Sequence, residues 1–315
     1  MKEHHDTDAD DGVSRALFLA VRSGDGQRVF NLLACDADPN ATNDKGATAL
    51  MAAAAGGYTD IARLLIDKGA DVNAIVRRPF KNVAEGASFG CTPLTIAAMG
   101  NYVDVVGLLI EKGADVNAAD DNKLTTLMHA AAQGSTDAAH MLIEKGADVN
   151  AADGRGFSAL THAVSRNRTD TARLLIEKGA DVGATDVNGW SIIMRTVLEG
   201  STDMVRLLLE GGADANATER NGVTALMHAA SQGRTDVARL LIEHGADVNA
   251  TDKSHGFTAL LVAAWQGRAD TLKLLMEKGA AVNAIDALGN TARSLARKNG
   301  HTNVVRILKA AGARK

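Results

Sequence analysis

The chain has 315 residues, 46% of them hydrophobic but only 3% aromatic, with three prolines and a net charge of −4. Its apolar surface must come mainly from Ala, Leu, Ile, Val and Met, and Ala and Leu are strong helix formers; this argues against disorder, a collagen-like chain and a β-sandwich. The acidic balance speaks against a general nucleic-acid binder, two cysteines make neither a disulfide framework nor a zinc pattern, and no apolar run reaches the about 18 residues expected of a membrane span.

Residues 1–12, MKEHHDTDADDG, contain five acidic residues and one lysine. They predict a flexible acidic tail with no visible secretory signal. From residue 13 a repeat takes over. A Thr or Ser opens each short helical motif, at Thr48, Thr92, Thr125, Ser158, Ser191, Thr224, Thr258 and Thr291, with spacings of 44, 33, 33, 33, 33, 34 and 33. Stepping back 33 residues from Thr48 reaches Arg15, the start of a degenerate copy that predicts an N-terminal capping repeat over 13–42. The string GADVNA keeps step at Gly69, Gly113, Gly146 and Gly245, with variants at Gly179, Gly212 and Gly279.

Each unit predicts two helices. The Thr or Ser is a good N-cap for the first. Small pairs such as Ala53/Ala54 and Ala97/Ala98 let neighbouring helices approach closely. Gly57, Gly134, Gly200, Gly233 and Gly267, or Asn101 and Asn167, are expected to end that helix in the left-handed conformation. Thr59, Thr136, Thr169, Thr202 and Thr235 are expected to cap the second helix, whose apolar stripe is Leu64-Leu65-Ile66 and its equivalents. One such unit buries too little to fold alone, so the units must stack.

Two places break the pattern. Eleven extra residues between Thr48 and Thr92 predict an extended finger within 75–90. Its Arg77, Arg78 and Phe80 form a basic projection suited to an acidic partner surface, or a solvated hairpin without a role. The last unit, 287–315, carries Arg293 where the others have Leu or Ile, and residues 289–315 hold seven basic side chains and no acidic one. It reads as a C-terminal capping repeat closing a single domain over 13–315.

The 33-residue unit and its motif, TPLTIAA from Thr92 and TALMAAA, TTLMHAA, SALTHAV, SIIMRTV, TALMHAA and TALLVAA in the other copies, resemble the ankyrin repeat family, whose core is T-P-L-H-x-A. The resemblance implies an all-α repeat solenoid of about nine helix-turn-helix repeats with β-hairpin fingers. It also implies a concave groove built from fingers and first helices. A non-enzymatic scaffold, adaptor or inhibitor would bind another protein there, as a monomer, without cofactor, nucleic acid or membrane. The family's His is replaced by Met, Thr or Leu, which puts its hydrogen bonds to the neighbouring repeat in doubt; the Met variants resemble bacterial members. A reducing, cytoplasmic setting is expected, with delivery into another cell as an effector left open.

The candidate binding residues follow from the register. Phe157, Trp190 and Phe257 stand just before the Thr or Ser, and Phe89 lies in a finger too. Trp265 stands seven after Thr258, where other repeats have mostly small residues, Met99 and Leu198 excepted. One position further come Gln133, Arg166, Glu199, Gln232 and Gln266. Four after the Thr or Ser come His129, His162, Arg195 and His228, read as a row of surface polar residues or a contact for a hydrogen-bonding partner. Zinc needs nitrogens within about 2.1 Å, whereas neighbouring rungs lie about 10 Å apart, so no metal ligand is assigned.

Cys91 reads as a small finger residue. A small-molecule or catalytic site around Cys91 and His129/His162/His228 is the first alternative, and self-assembly through oppositely charged ends the second. Formal matches to G-x-S-x-G at Gly86–Gly90 and to G-x-G-x-x-A at Gly154–Ala159 lack the sheet those motifs require.

Overall fold

The computed structural model describes residues 7–43, 46–75 and 90–314. Among these it has eighteen helices and no strand. They fall into two compact units, Met1–Ala180 and Asp181–Lys315. The first unit holds α1 (Thr7–Arg22), α2 (Gly26–Ala34), α3 (Ala49–Gly56), α4 (Thr59–Asp67), α5 (Pro93–Met99), α6 (Val103–Glu111), α7 (Thr126–Gln133), α8 (Thr136–Glu144), α9 (Ala159–Ser165) and α10 (Thr169–Glu177). The second holds α11 (Ile192–Glu199), α12 (Thr202–Glu210), α13 (Ala225–Gln232), α14 (Thr235–Glu243), α15 (Ala259–Trp265), α16 (Ala269–Glu277), α17 (Ala292–Lys298) and α18 (Thr302–Ala310). No helix among the described residues is long and apolar enough to cross a membrane.

The helix starts follow from the repeated Thr. Its hydroxyl accepts from the backbone N–H three residues on, as Thr48 does from Met51 and Thr258 from Leu261, satisfying one of the free donors of the first turn. Ser191 makes no such bond at the start of α11, and its hydroxyl is buried without a partner. The same helix carries Thr196 and Val197 in place of the small pair, and Thr196 Oγ1 donates to the Ile192 carbonyl at 2.8 Å. Elsewhere Ala53, Ala54, Ala97, Ala98, Ala130 and Ala131 are fully buried, as close helix approach requires. The helix stops agree with expectation: Gly57 and Gly134 are left-handed, and Asn101 and Asn167 take φ of 57° and 53° in the same role.

Three details differ from the sequence reading. Thr59, Thr136, Thr169, Thr202 and Thr235 are the first helical residues of their helices, not the caps; the cap position falls one earlier. Two of their hydroxyls bridge repeats instead, Thr136 to Thr171 at 2.7 Å and Thr235 to Thr271 at 2.9 Å. The fingers contribute isolated antiparallel bridges, such as Ala119 with Thr125 and Ile285 with Thr291, rather than paired strands. Lastly, α1 begins at Thr7, so residues 7–12, expected in a flexible tail, are helical; acidic residues suit the first turn of a helix as well as they suit a disordered tail.

The positions of the missing His make hydrogen bonds of their own, within the repeat or between repeats. Met51 and Met128 fold back so that their Sδ accepts from the N–H of the capping Thr. Thr95 reaches forward to the Thr126 hydroxyl at 2.9 Å. The Asn of GADVNA is a second tie: Asn73 Nδ2 donates to the Gly113 carbonyl at 3.1 Å, and its Oδ1 accepts from Asp115 N at 2.9 Å. Asn117, Asn216 and Asn249 repeat the pattern.

Candidate functional site

The acid five residues before the Thr or Ser was not singled out in the sequence, and it organises this face. Asp120 Oδ1 accepts from the N–H groups of Asn122 and Leu124, which folds the finger turn, and its Oδ2 meets His129 Nε2 at 3.1 Å. Asp153 does the same for Arg155, Phe157 and, at 3.1 Å, His162. Asp186 holds Asn188, Trp190 and, at 2.7 Å, Arg195. His129, His162 and Arg195 thus each clamp a finger to the first helix of their own repeat, and His228 makes no such bond. The four are not a row of free surface residues: His129 is buried, and His162, Arg195 and His228 are half-buried. The signal was present in the constant spacing of Asp120, Asp153, Asp186 and Glu219 from the following Thr or Ser.

The three histidines differ electrostatically. Burial works against the charged form of His129, but its hydrogen bonds to Asp120 and Cys91 outweigh it and push the imidazole up to about 9. His162 has the same carboxylate contact, yet burial holds its pKa below the usual value; Asp153 opposes this, and the nearby charges of Arg155 and His129 add to it. Burial also lowers His228, against a weaker pull from Glu219. His228 Nε2 is buried without a hydrogen-bond partner, and its ring lies against Trp190, centroids 5.3 Å apart.

Cys91 and His129 meet because a finger faces the first helix of the next repeat. The rung spacing separates equivalent atoms, but not the residue before one Thr from the residue four after the next. The Cys91 sulfur, an Asp120 oxygen and a His129 nitrogen lie within 4.8 Å of one another, all on buried residues. Gly90 makes the approach possible: at its φ of +88°, a Cβ would stand 3.0 Å from the Asp120 Cα. The sequence reading of Cys91 as a small finger residue and of His129 as exposed is corrected on this point.

The second unit carries an apolar groove of about 460 Å³. Phe257 and Trp265 stack in it with their rings parallel and offset, centroids 5.6 Å apart and planes 2° from parallel. His255 tilts onto Phe257, Val223 and Val262 add apolar wall, and Leu288 stands at the rim. Trp265 is 44% exposed and Leu288 is 87% exposed. The Trp265 backbone is tied down, since His301 Nε2 lies 2.8 Å from its carbonyl oxygen.

The remaining candidates scatter. Met99, in register with Trp265, is buried, so its selection as a contact residue is corrected: an unbranched thioether fills a gap in the packing, whereas an indole at that position lies outside over Phe257. Arg166, Glu199 and Gln266 are exposed, Gln133 is half-buried, and Gln232 accepts from Arg234 Nε. The Arg155 guanidinium caps the Phe157 ring at 4.6 Å. Arg77, Arg78, Phe80 and Phe89 lie outside the described residues.

A family model described as ankyrin repeats (3 copies) matches residues 17–120, 118–186, 184–252 and 251–315. No curated protein matches the chain.

Proposed function

The chain belongs to the ankyrin repeat family, and from that premise we propose that it is a non-enzymatic protein-interaction module whose partner seats an apolar side chain in the groove around Phe257 and Trp265. The observation that carries this reading is Trp265, a large aromatic left 44% exposed in a chain that is 3% aromatic. It is presented on a rigid helix and backed by a second ring. Exposed aromatics over apolar pockets are the commonest binding hot spots. The half-buried Phe157, Trp190, His162, Arg195 and His228 are assigned to holding fingers in place, and their contact with a partner is secondary. The catalytic alternative around Cys91 is disfavoured, because a thiol at 1% exposure is closed to any substrate larger than an ion.

The test is affinity capture with the wild-type chain and with Trp265→Ala side by side, followed by titration calorimetry of the captured protein. A partner retained equally by both variants would refute the groove assignment.

A further inference from the structure

We propose that Cys91, Asp120 and His129 form a binding site for a divalent cation of the zinc class. The three donors are sulfur, carboxylate oxygen and imidazole nitrogen, the set from which protein zinc sites are built. They converge from two repeats, and the side chains of His129 and Asp120 are 6% and 1% exposed, with Cys91 at 1%. Tetrahedral zinc with bonds of about 2.0–2.3 Å places its donors roughly 3.3–3.6 Å apart. The His129 Nε2 to Asp120 Oδ2 separation is 3.1 Å, and no donor pair exceeds 4.8 Å. Movements of about 1 Å therefore complete the geometry.

The carboxylate is oriented for this in advance. Oδ1 is held by two finger N–H groups, leaving Oδ2 to face the site, the arrangement that supports metal ligands from behind. Charge also balances. A thiolate, a carboxylate and a neutral imidazole carry −2 together, and the cation brings the buried group to zero. The Cys91 thiol proton, and a proton on His129 where present, pass to solvent. With three protein ligands, the fourth position falls to water or to a small added donor.

The rest of the molecule serves as its own control. The Asp153–His162 pair has the same 3.1 Å contact but no thiol, and Cys35, the other cysteine, is exposed and outside the cluster. Cys91 is thus the one departure that turns a structural clamp into a donor set. At the equivalent position other repeats carry Ala47 and Val223, so the fold does not require sulfur there.

The experiment uses the full chain, reduced and stripped with a chelator, and titrates it with cobalt(II) and then zinc(II). Expected is one cobalt per chain, with the intense visible bands of tetrahedral coordination and a thiolate-to-cobalt charge-transfer band, both abolished by zinc. Cys91→Ala and Cys91→Val, each taken from another repeat, should remove the charge-transfer band and weaken binding by more than about 100-fold, the upper end of the loss seen when only a supporting residue is removed. Cys35→Ser and His162→Gln should leave the spectrum unchanged. Zinc should raise the thermal midpoint of the wild type and not that of Cys91→Ala, which separates lost binding from lost folding. No charge-transfer band at stoichiometric cobalt, or a band that survives Cys91→Ala and disappears in Cys35→Ser, overturns the proposal.

Discussion

The repeats opened by Thr125 and Thr224 place three side chains at the same positions and obtain opposite environments. In the first, Cys91, Asp120 and His129 make a buried polar cluster in which the carboxylate serves both the finger turn and the imidazole. In the second, Trp190, Glu219 and His228 occupy those positions. The ring packs on an indole, and its Nε2 has no hydrogen-bond partner. The comparison teaches that the repeat fixes where side chains meet, while residue type decides whether the meeting is polar or apolar. The second unit also keeps the polar version of the meeting, in the Asp186–Arg195 pair.

The sharpest way to break this comparison is to remove the acid from each cluster. Asp120→Ala strips the hydrogen-bond partner from a buried imidazole whose pKa that partner helps to raise, and it frees two finger N–H groups. Loss of one partner of a buried pair costs about 3–5 kcal/mol. Glu219→Ala, where no hydrogen bond to His228 is lost, should cost less than about 0.5 kcal/mol, as for surface changes generally. Urea unfolding of both variants, with the slope checked for constancy, measures the difference. Equal costs would mean that the two clusters are energetically alike.

Next in size is the apolar side of the comparison. Trp265→Ala should weaken partner binding by about 2 kcal/mol or more with a nearly unchanged thermal midpoint, because the equivalent positions Ala55, Ala132, Ser165 and Ser231 are small. Trp190→Ala should lower the midpoint instead, since its ring covers His228. Arg239→Glu on α14 should leave binding intact. Calorimetry beside thermal melts separates the three outcomes.

The sequence made the fold legible because each unit repeats its own start and stop signals: Thr48 and its counterparts as caps, Gly57 or Asn101 as left-handed stops. It made the site legible only in part. Trp265 stood out because most equivalent positions are small, and its ring is partly exposed beside Phe257. Met99, in the same register, turned inward, because one-dimensional register does not say whether a flexible side chain finds a gap. The Cys91–Asp120–His129 cluster was missed for a geometric reason. Rung spacing was applied to equivalent residues, whereas Cys91 and His129 belong to different positions of adjacent repeats and so escape it.

A smaller effect concerns the pH response of the Thr224 repeat. Burial holds His228 below its unfolded value of about 6.5. The unfolded chain therefore binds more protons between the two values, and stability falls as pH drops through about 6.5, levelling off below the folded pKa. Thermal melts at pH 7.5 and pH 5 should show a larger loss for the wild type than for His228→Leu. An equal loss in both would place the acid sensitivity elsewhere.

The smallest expected effect concerns what sets the position of Cys91. Removing residues 76–86 restores the 33-residue spacing between Thr48 and Thr92. If stacking of α5 fixes the finger, the shortened chain keeps its helical content and changes stability by about 1 kcal/mol or less, since loop length costs little. Gly90 and Cys91 stay in the chain and keep their distance from Thr92, so Cys91 should still face His129. Circular dichroism and urea unfolding report the first expectation, and cobalt titration of the deletion variant the second. A deletion that preserves the fold but abolishes the thiolate band would show that residues 76–86, rather than the repeat register, hold Cys91 against Asp120 and His129.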